Sequence, residues 1–259
     1  MARKLVISIS GKGGTGKTTL TALLLKWLIQ NTDEIPLVVD ADPATNLADV
    51  LGVKLARTVG QVSKDMKNQI EKGTLPPTTP KKNLLEAWVF QTLVEEARFD
   101  LLAMGRSEGE GCYCFVNNVL THILDTLTKN YGVILMDMEA GLEHLSRRTD
   151  RDVDAMLVVT DPSRMGFETA RRIKDLAEEV HIDVKKIYLV GNNFPQDMTD
   201  TLKKAADDIG VELAGSVPYD EYVMSFNITG KPLLGIPDDS PAYRAVEHIA
   251  QKIGLSNLS

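Results

Sequence analysis

The chain has 259 residues, of which 43% are hydrophobic and 25% charged, with a net charge of −7. A chain of that size buries a large core, and its balance is that of an ordinary globular protein. Two cysteines exclude a disulfide scaffold, no apolar run approaches the ~20 residues that span a bilayer, and the acidic balance lowers the expectation of a nucleic-acid partner.

Along the chain, strands and helices alternate. The opening, "MARKLVISISGKGG", starts basic, but its apolar run is too short for a signal peptide, so a cytoplasmic protein is expected. Lys4 to Ser10 reads as a buried strand and Lys17 to Gln30 as a helix. Further strands are predicted at 36–40, 132–137, 154–160 and 186–190, with a weaker candidate at 211–217. In 163–180, Ala170, Ile173, Ala177 and Val180 form a helical stripe; 242–253 has helical spacing too and is expected to pack onto the body. The segment 58–131 is less regular: a proline-rich loop at 73–83, a helix near 84–97, a short strand in "FDLLAMG", then a glycine-rich loop. Short β-branched strands alternating with helices predict a doubly wound, mostly parallel α/β sheet covered on both faces. With no repeat and no linker, residues 1–259 are expected to form one domain.

Gly11 to Thr18, "GKGGTGKT", fits the phosphate-loop pattern G-x-x-x-x-G-K-[ST] at every position, after a predicted strand and before a predicted helix. The glycines allow backbone amides to cradle phosphate, and the helix N-terminus adds its dipole. Lys17 is the expected partner of the β/γ-phosphates, and Thr18 the expected ligand of Mg²⁺. Gly11, Lys12, Gly13, Gly14, Thr15, Gly16, Lys17, Thr18 and Thr19 are together the expected nucleotide-contacting run. Asp40 and Asp42 close the second strand in "VVDADPATNL", beside the loop in a doubly wound sheet, and Asp137 closes another apolar strand in "VILMDMEAGLEHL".

Lys12, ahead of Gly13-Gly14, is a second lysine that an ordinary phosphate loop does not need. On this loop the chain resembles the deviant-Walker ATPases, which include nitrogenase iron protein, MinD and ParA. The resemblance implies a P-loop NTPase fold, ATP hydrolysis and a homodimer in which Lys12 reaches the partner's nucleotide. It implies that Asp42 orients the attacking water, that Asp40 supports magnesium or the loop, and that Asp137 holds a magnesium water. Residues 137–141, "DMEAG", resemble the family's switch, in which Gly141 responds to the γ-phosphate. Asn192 matches the adenine-reading asparagine, and Pro218 in "VPYDE" sits where relatives close the adenine pocket. Catalysis is thus assigned to Lys12, Lys17 and Asp42. Thr15, where relatives often have valine, is expected to matter little because backbone groups do the work.

Cys112 and Cys114 are the only two cysteines, separated by one residue in "GCYCF". Alternate residues of an extended segment face the same side. One pair is too few to enclose a metal, but two pairs across a dimer axis make an S₄ site suited to tetrahedral zinc or square-planar nickel. The C-x-C, with "MDMEAGLEHL" and "DPSRMGFETARRI", is similar to the carbon monoxide dehydrogenase accessory ATPases of the CooC type. That resemblance implies nickel insertion into carbon monoxide dehydrogenase, with the related maturation ATPase of acetyl-CoA synthase as the alternative. The rivals are a ParA or MinD positioning ATPase, opposed by the acidic charge and by a C-terminal helix unlike a membrane helix, and an iron–sulfur electron donor. The four histidines, at 122, 144, 181 and 248, are scattered and form no nickel store. Neither nucleic acid nor membrane is an expected partner.

Overall fold

The computed structural model describes residues 5–75, 80–106, 130–139, 153–179 and 184–258. Its centre is an eight-stranded sheet. The strands are β1 (Leu5–Gly11), β2 (Leu37–Asp40), β3 (Val94–Glu95), β4 (Asp100–Ala103), β5 (Val133–Asp137), β6 (Ala155–Thr160), β7 (Ile187–Asn192) and β8 (Glu212–Val217). They lie in the order β3-β4-β2-β5-β1-β6-β7-β8, all parallel except β3, which pairs antiparallel with β4 at the edge. The weak candidate at 211–217 is β8, reached across a register shift at Leu189/Val190.

Helices cover both faces. On one lie α1 (Lys17–Asn31), α2 (Asn46–Leu51) and α8 (Pro241–Lys252). On the other lie α3 (Val59–Glu71), α4 (Lys81–Phe90), α5 (Arg164–Glu179) and α6 (Thr199–Ile209). The strands serve both layers by simple alternation: Leu5, Ile7 and Ile9 of β1 enter the first core, while Val6 enters the second. All seven residues of β1 are buried, so in "LVISISG" even Ser8 and Ser10, which alternate with Ile7 and Ile9, lie inside. α8 packs on α1 and β8 through Ala242, Tyr243, Val246 and Ile249, as its spacing predicts. Among the described residues no helix is long and apolar enough to cross a membrane.

Three local expectations change. The predicted helix near 84–97 is α4, which stops at Phe90. There the amide and hydroxyl of Thr92 both donate to the carbonyl of Val89, and the chain turns back into β3. The irregular stretch after residue 58 contains α3, opened by a capping box between Thr58 and Gln61. A short helix, α7 (Glu221–Thr229), follows β8; it has no buried residue, so no apolar stripe announces it.

Candidate functional site

The carboxyl ends of β1, β2, β5, β6 and β7 meet along one edge of the sheet, and each delivers one piece of the site. β1 ends at Gly11, which approaches β6 so closely that a Cβ would stand 2.3 Å from the carbonyl oxygen of Val159. Gly16 takes a left-handed φ of 89° as it opens α1, and a Cβ there would meet Asn192 Nδ2 at 2.2 Å. Glycine is thus dictated at both ends of the loop.

The loop is organised around one carbonyl. Lys12 O accepts from the Thr15 hydroxyl at 2.7 Å, from the Thr15 amide at 3.3 Å and from Lys17 Nζ at 3.4 Å. The Thr15 hydroxyl therefore makes a bond that a valine could not, so at this position a side chain as well as the backbone shapes the loop. Lys17 is buried, with its charge beside the glycine turn, where a phosphate would replace the weak carbonyl contact. Lys12 sends its own ammonium the other way, to Asp161 Oδ2 at 3.1 Å.

Across the loop stand three carboxylates. Asp137 Oδ2 accepts from the Thr18 hydroxyl at 2.7 Å. Burial pushes the Asp137 carboxyl up to about 6, although Thr18 and the charge of Lys17 oppose the rise. Asp40, its register partner on β2, is fully buried and pushed up to about 7, first by burial and then by the charge of Asp137. Both oxygens of Asp40 are engaged by backbone, Oδ1 by the amide of Asp42 at 3.2 Å and Oδ2 by the amide of Leu47 at 3.1 Å. Asp40 therefore shapes the loop that carries Asp42, and of its two expected roles the geometry favours the loop. Asp42 is half-buried and accepts the amide of Ala44 at 2.8 Å on Oδ1.

Beside the loop opens a cavity of about 480 Å³, lined by Gly14, Gly16 and Thr19, by Asn192 and Pro218, and by the apolar side chains of Val223, Met224 and Ile228. Asn192 also donates from Nδ2 to the carbonyl of Thr15 at 2.8 Å, tying β7 to the phosphate loop. The glycine cradle, the buried ammonium, the buried carboxyl facing a threonine hydroxyl and the adjoining apolar cavity together fit a magnesium nucleotide.

The comparisons agree. The model of the CobQ/CobB/MinD/ParA nucleotide-binding domain matches residues 6–233. The chain belongs to this family. It is 45% identical to an uncharacterized ATP-binding protein of Methanocaldococcus jannaschii over 96% of this chain and 98% of that protein. It is 33% identical to the carbon monoxide dehydrogenase accessory protein CooC of Rhodospirillum rubrum, over 93% of each chain. The structure of a ParA family ATPase from Chlorobium tepidum superposes with a TM-score of 0.71 at 19% identity, covering 98% of this chain and all of that one. This MinD/ParA-type protein is an ATPase with the P-loop NTPase fold.

In this MinD/ParA-type ATPase the predicted residues converge from distant parts of the chain. Lys12, Lys17, Thr18, Asp40, Asp42 and Asp137 gather at the loop, and Thr19, Asn192 and Pro218 at the cavity. Gly141, Cys112 and Cys114 lie outside the described residues, as do His122, His144 and His181. His248 sits on α8 with Nδ1 2.7 Å from the carbonyl of Arg244, apart from the site. Among the described residues no three His, Cys, Asp or Glu side chains gather as a metal site. Sequence reasoning missed Asp161, Asp220 and the apolar wall of α7. Asp220 caps α7 through Oδ1, which accepts the amides of Tyr222 and Val223. Through Oδ2 it also takes the Ser240 hydroxyl and the Ala242 amide. It thereby fixes the Pro218-Tyr219 turn against the start of α8. An aspartate ahead of "EYV" was a readable cap signal.

Proposed function

We propose that this ATPase is a dimerising metallochaperone that carries a divalent metal, nickel or zinc, between the Cys112-Cys114 pairs of two subunits. Its cargo is nickel for the maturation of carbon monoxide dehydrogenase. The observation behind the reading is Lys12. Its carbonyl organises the loop, while its ammonium, 37% exposed at the side chain, rests outside its own cradle. A lysine so placed serves a second cradle facing it across a two-fold axis, which couples closure to the γ-phosphate. The likeness to CooC, whose name ties it to carbon monoxide dehydrogenase, supports the client.

In this reading the loop amides and Lys17 hold the β- and γ-phosphates, Thr18 would ligate magnesium and Asp137 would hold one of its waters. Magnesium supplies charge neutralisation at the transferred phosphoryl group. Asp42 orients the attacking water at the mouth of the site. Asn192 and Pro218 border the base.

The test is a metal count combined with sedimentation. Zinc or nickel should bind at one ion per two chains and drive dimerisation without nucleotide, and acid should release the metal as the thiolates protonate. Cys112→Ser and Cys114→Ser should lose this dimerisation yet bind ATP within a few-fold of the parent protein. One metal per chain, or serine variants that still dimerise with metal alone, would overturn the bridge.

A further inference from the structure

Asp161 stands just beyond the end of β6, in the stretch "DPSRMG" that leads into α5. Its two oxygens have different occupations. Oδ1 is bound into its own turn, accepting the Ser163 amide at 3.1 Å and the Ser163 hydroxyl. That hydroxyl in turn accepts the Gly166 amide at 3.0 Å. The turn has no room for another carbon: a Cβ at Gly166 would stand 2.4 Å from Asp161 Oδ1 and 2.6 Å from Thr160 Oγ1. Oδ2 is left to face Lys12 at 3.1 Å, with both side chains about one-third exposed. Burial works against the charge of Asp161, but the bonds from Ser163 and Lys12 prevail and hold its carboxyl below the usual range. The result is a rigidly mounted carboxylate aimed at a lysine on a neighbouring strand's loop, 149 residues away in sequence.

We propose that Asp161 is a positioning residue that retains Lys12 within its own subunit, so that dimer closure requires Lys12 to exchange this carboxylate for the phosphates held by the partner. The inference rests on the dimeric reading above. A nucleoside triphosphate outcompetes one carboxylate about one-third exposed because it presents more negative charge in a more enclosed cradle. The carboxylate nevertheless sets a threshold. A pair this exposed shifts an equilibrium by roughly two- to fivefold. A dimer opens two such pairs, so the shift is about four- to twenty-fivefold in the dimer dissociation constant.

The experiment is sedimentation over a range of protein concentrations with Mg²⁺ and the non-hydrolysable analogue AMP-PNP. Asp161→Asn removes the charge but keeps an oxygen for Ser163, so the turn is preserved. It should dimerise about four- to twenty-fivefold more tightly than the parent protein. Asp161→Glu, which restores the charge, should return toward the parent value. Asp161→Asn combined with Lys12→Ala should gain nothing over Lys12→Ala alone, a result that a general loosening of the turn would not give. Thermal unfolding checks that each variant is folded, and Asp161→Ser replaces the asparagine variant if that one is not. If the parent dimerises and Asp161→Asn does so equally or less well, the retaining role is wrong and the dimeric reading stands. A gain that survives Lys12→Ala also overturns it. If neither parent nor variant dimerises at any concentration, the dimeric reading fails and takes this inference with it.

Discussion

Asp40 and Asp137 are register partners on adjacent parallel strands, and their buried carboxyls end side by side at the carboxyl edge of the sheet. Neither has an ammonium as a direct hydrogen-bonding partner; their charges are tolerated through amides, a hydroxyl and the nearby Lys17.

A pH dependence follows. Both carboxyls titrate higher folded, near 7 and 6, than their ordinary 3.8. A group whose folded pKa is raised contributes stability that is fully present below its unfolded pKa and lost as pH rises through its folded one. Without nucleotide and with magnesium chelated, the melting temperature should therefore fall by a few degrees between about pH 4 and 7 and level off above that. Asp40→Asn should flatten the part of that fall near pH 7. A profile with the same slope in the variant would show that Asp40 is not the titrating group. Magnesium with nucleotide should lift the basic end of the curve most, because that is where the carboxylates are charged.

Lys17→Ala removes the buried cation of the cradle. Steady-state ATP turnover should drop on the order of 10²–10³-fold or more, as for other preorganised charge-stabilising groups. Turnover within a few-fold of the parent would sink the assignment of this loop as the phosphate site.

Asp42→Asn separates binding from chemistry. The asparagine keeps an oxygen for the Ala44 amide, so the loop should hold its shape. ATP should bind with nearly parental affinity while turnover slows roughly 10²–10⁴-fold, the usual weight of a proton-handling group. An unchanged rate in single-turnover measurements would move the water-orienting role to another residue.

Thr15→Val tests the loop's internal bond. The loss of one hydroxyl-to-carbonyl bond at Lys12 should cost about 1 kcal/mol in urea unfolding. It should also weaken nucleotide binding, because that carbonyl aligns Lys17 as well. Valine behaving as threonine in both assays would return this position to the neutral role suggested by its relatives.

Lys26 supplies a control far from the chemistry. It is buried in α1, where its ammonium donates to the carbonyl of Ile236 and to Asp238 at 2.6 Å and lies 4.4 Å above the ring of Tyr243. Lys26→Met should leave the Ile236 carbonyl buried and unpaired, at a cost of about 1–3 kcal/mol. ATP turnover at moderate temperature should be unchanged. A melting temperature equal to the parent's would show that the carbonyl finds another donor.

What could be read from the residues, and what could not, follows from the range of the interactions. The phosphate loop was legible because its eight residues act as one local unit, with the amides, Lys17 and Thr18 all inside one turn. The strands were legible because burial on both faces leaves unbroken apolar runs such as "VILMD". α3 carried its signal in Thr58 and Gln61, hidden by the polar residues around it. α7 carried only its cap, Asp220, because none of its residues is fully buried and only Val223 and Phe226 lean on the core. Asp161 could not be seen at all: its partner is chosen by the adjacency of β1 and β6, a property of the sheet order. Asp40 is a different case: its partners, the amides of Asp42 and Leu47, are near in sequence, but only the folded loop shows that both of its oxygens are taken.

The position of β1 also bears on how the chain acquires its activity. β1 lies inside the sheet, yet both its neighbours come late, from Val133–Asp137 and Ala155–Thr160. Ile7 finds its register partners in Leu135 and Ala155. During synthesis the first strand therefore waits through more than half of the chain with no mate on either side. Closing so long a span costs entropy before any ladder bond offsets it, which makes for slow, late and cooperative folding. An unpaired apolar strand in that interval is open to wrong partners, including another nascent copy. The phosphate loop hangs from the end of this same strand, so a chain interrupted before β6 has no ordered cradle to offer. Affinity for ATP thus arrives only with the finished sheet, and the nucleotide stabilises completed molecules rather than recruiting partly made ones.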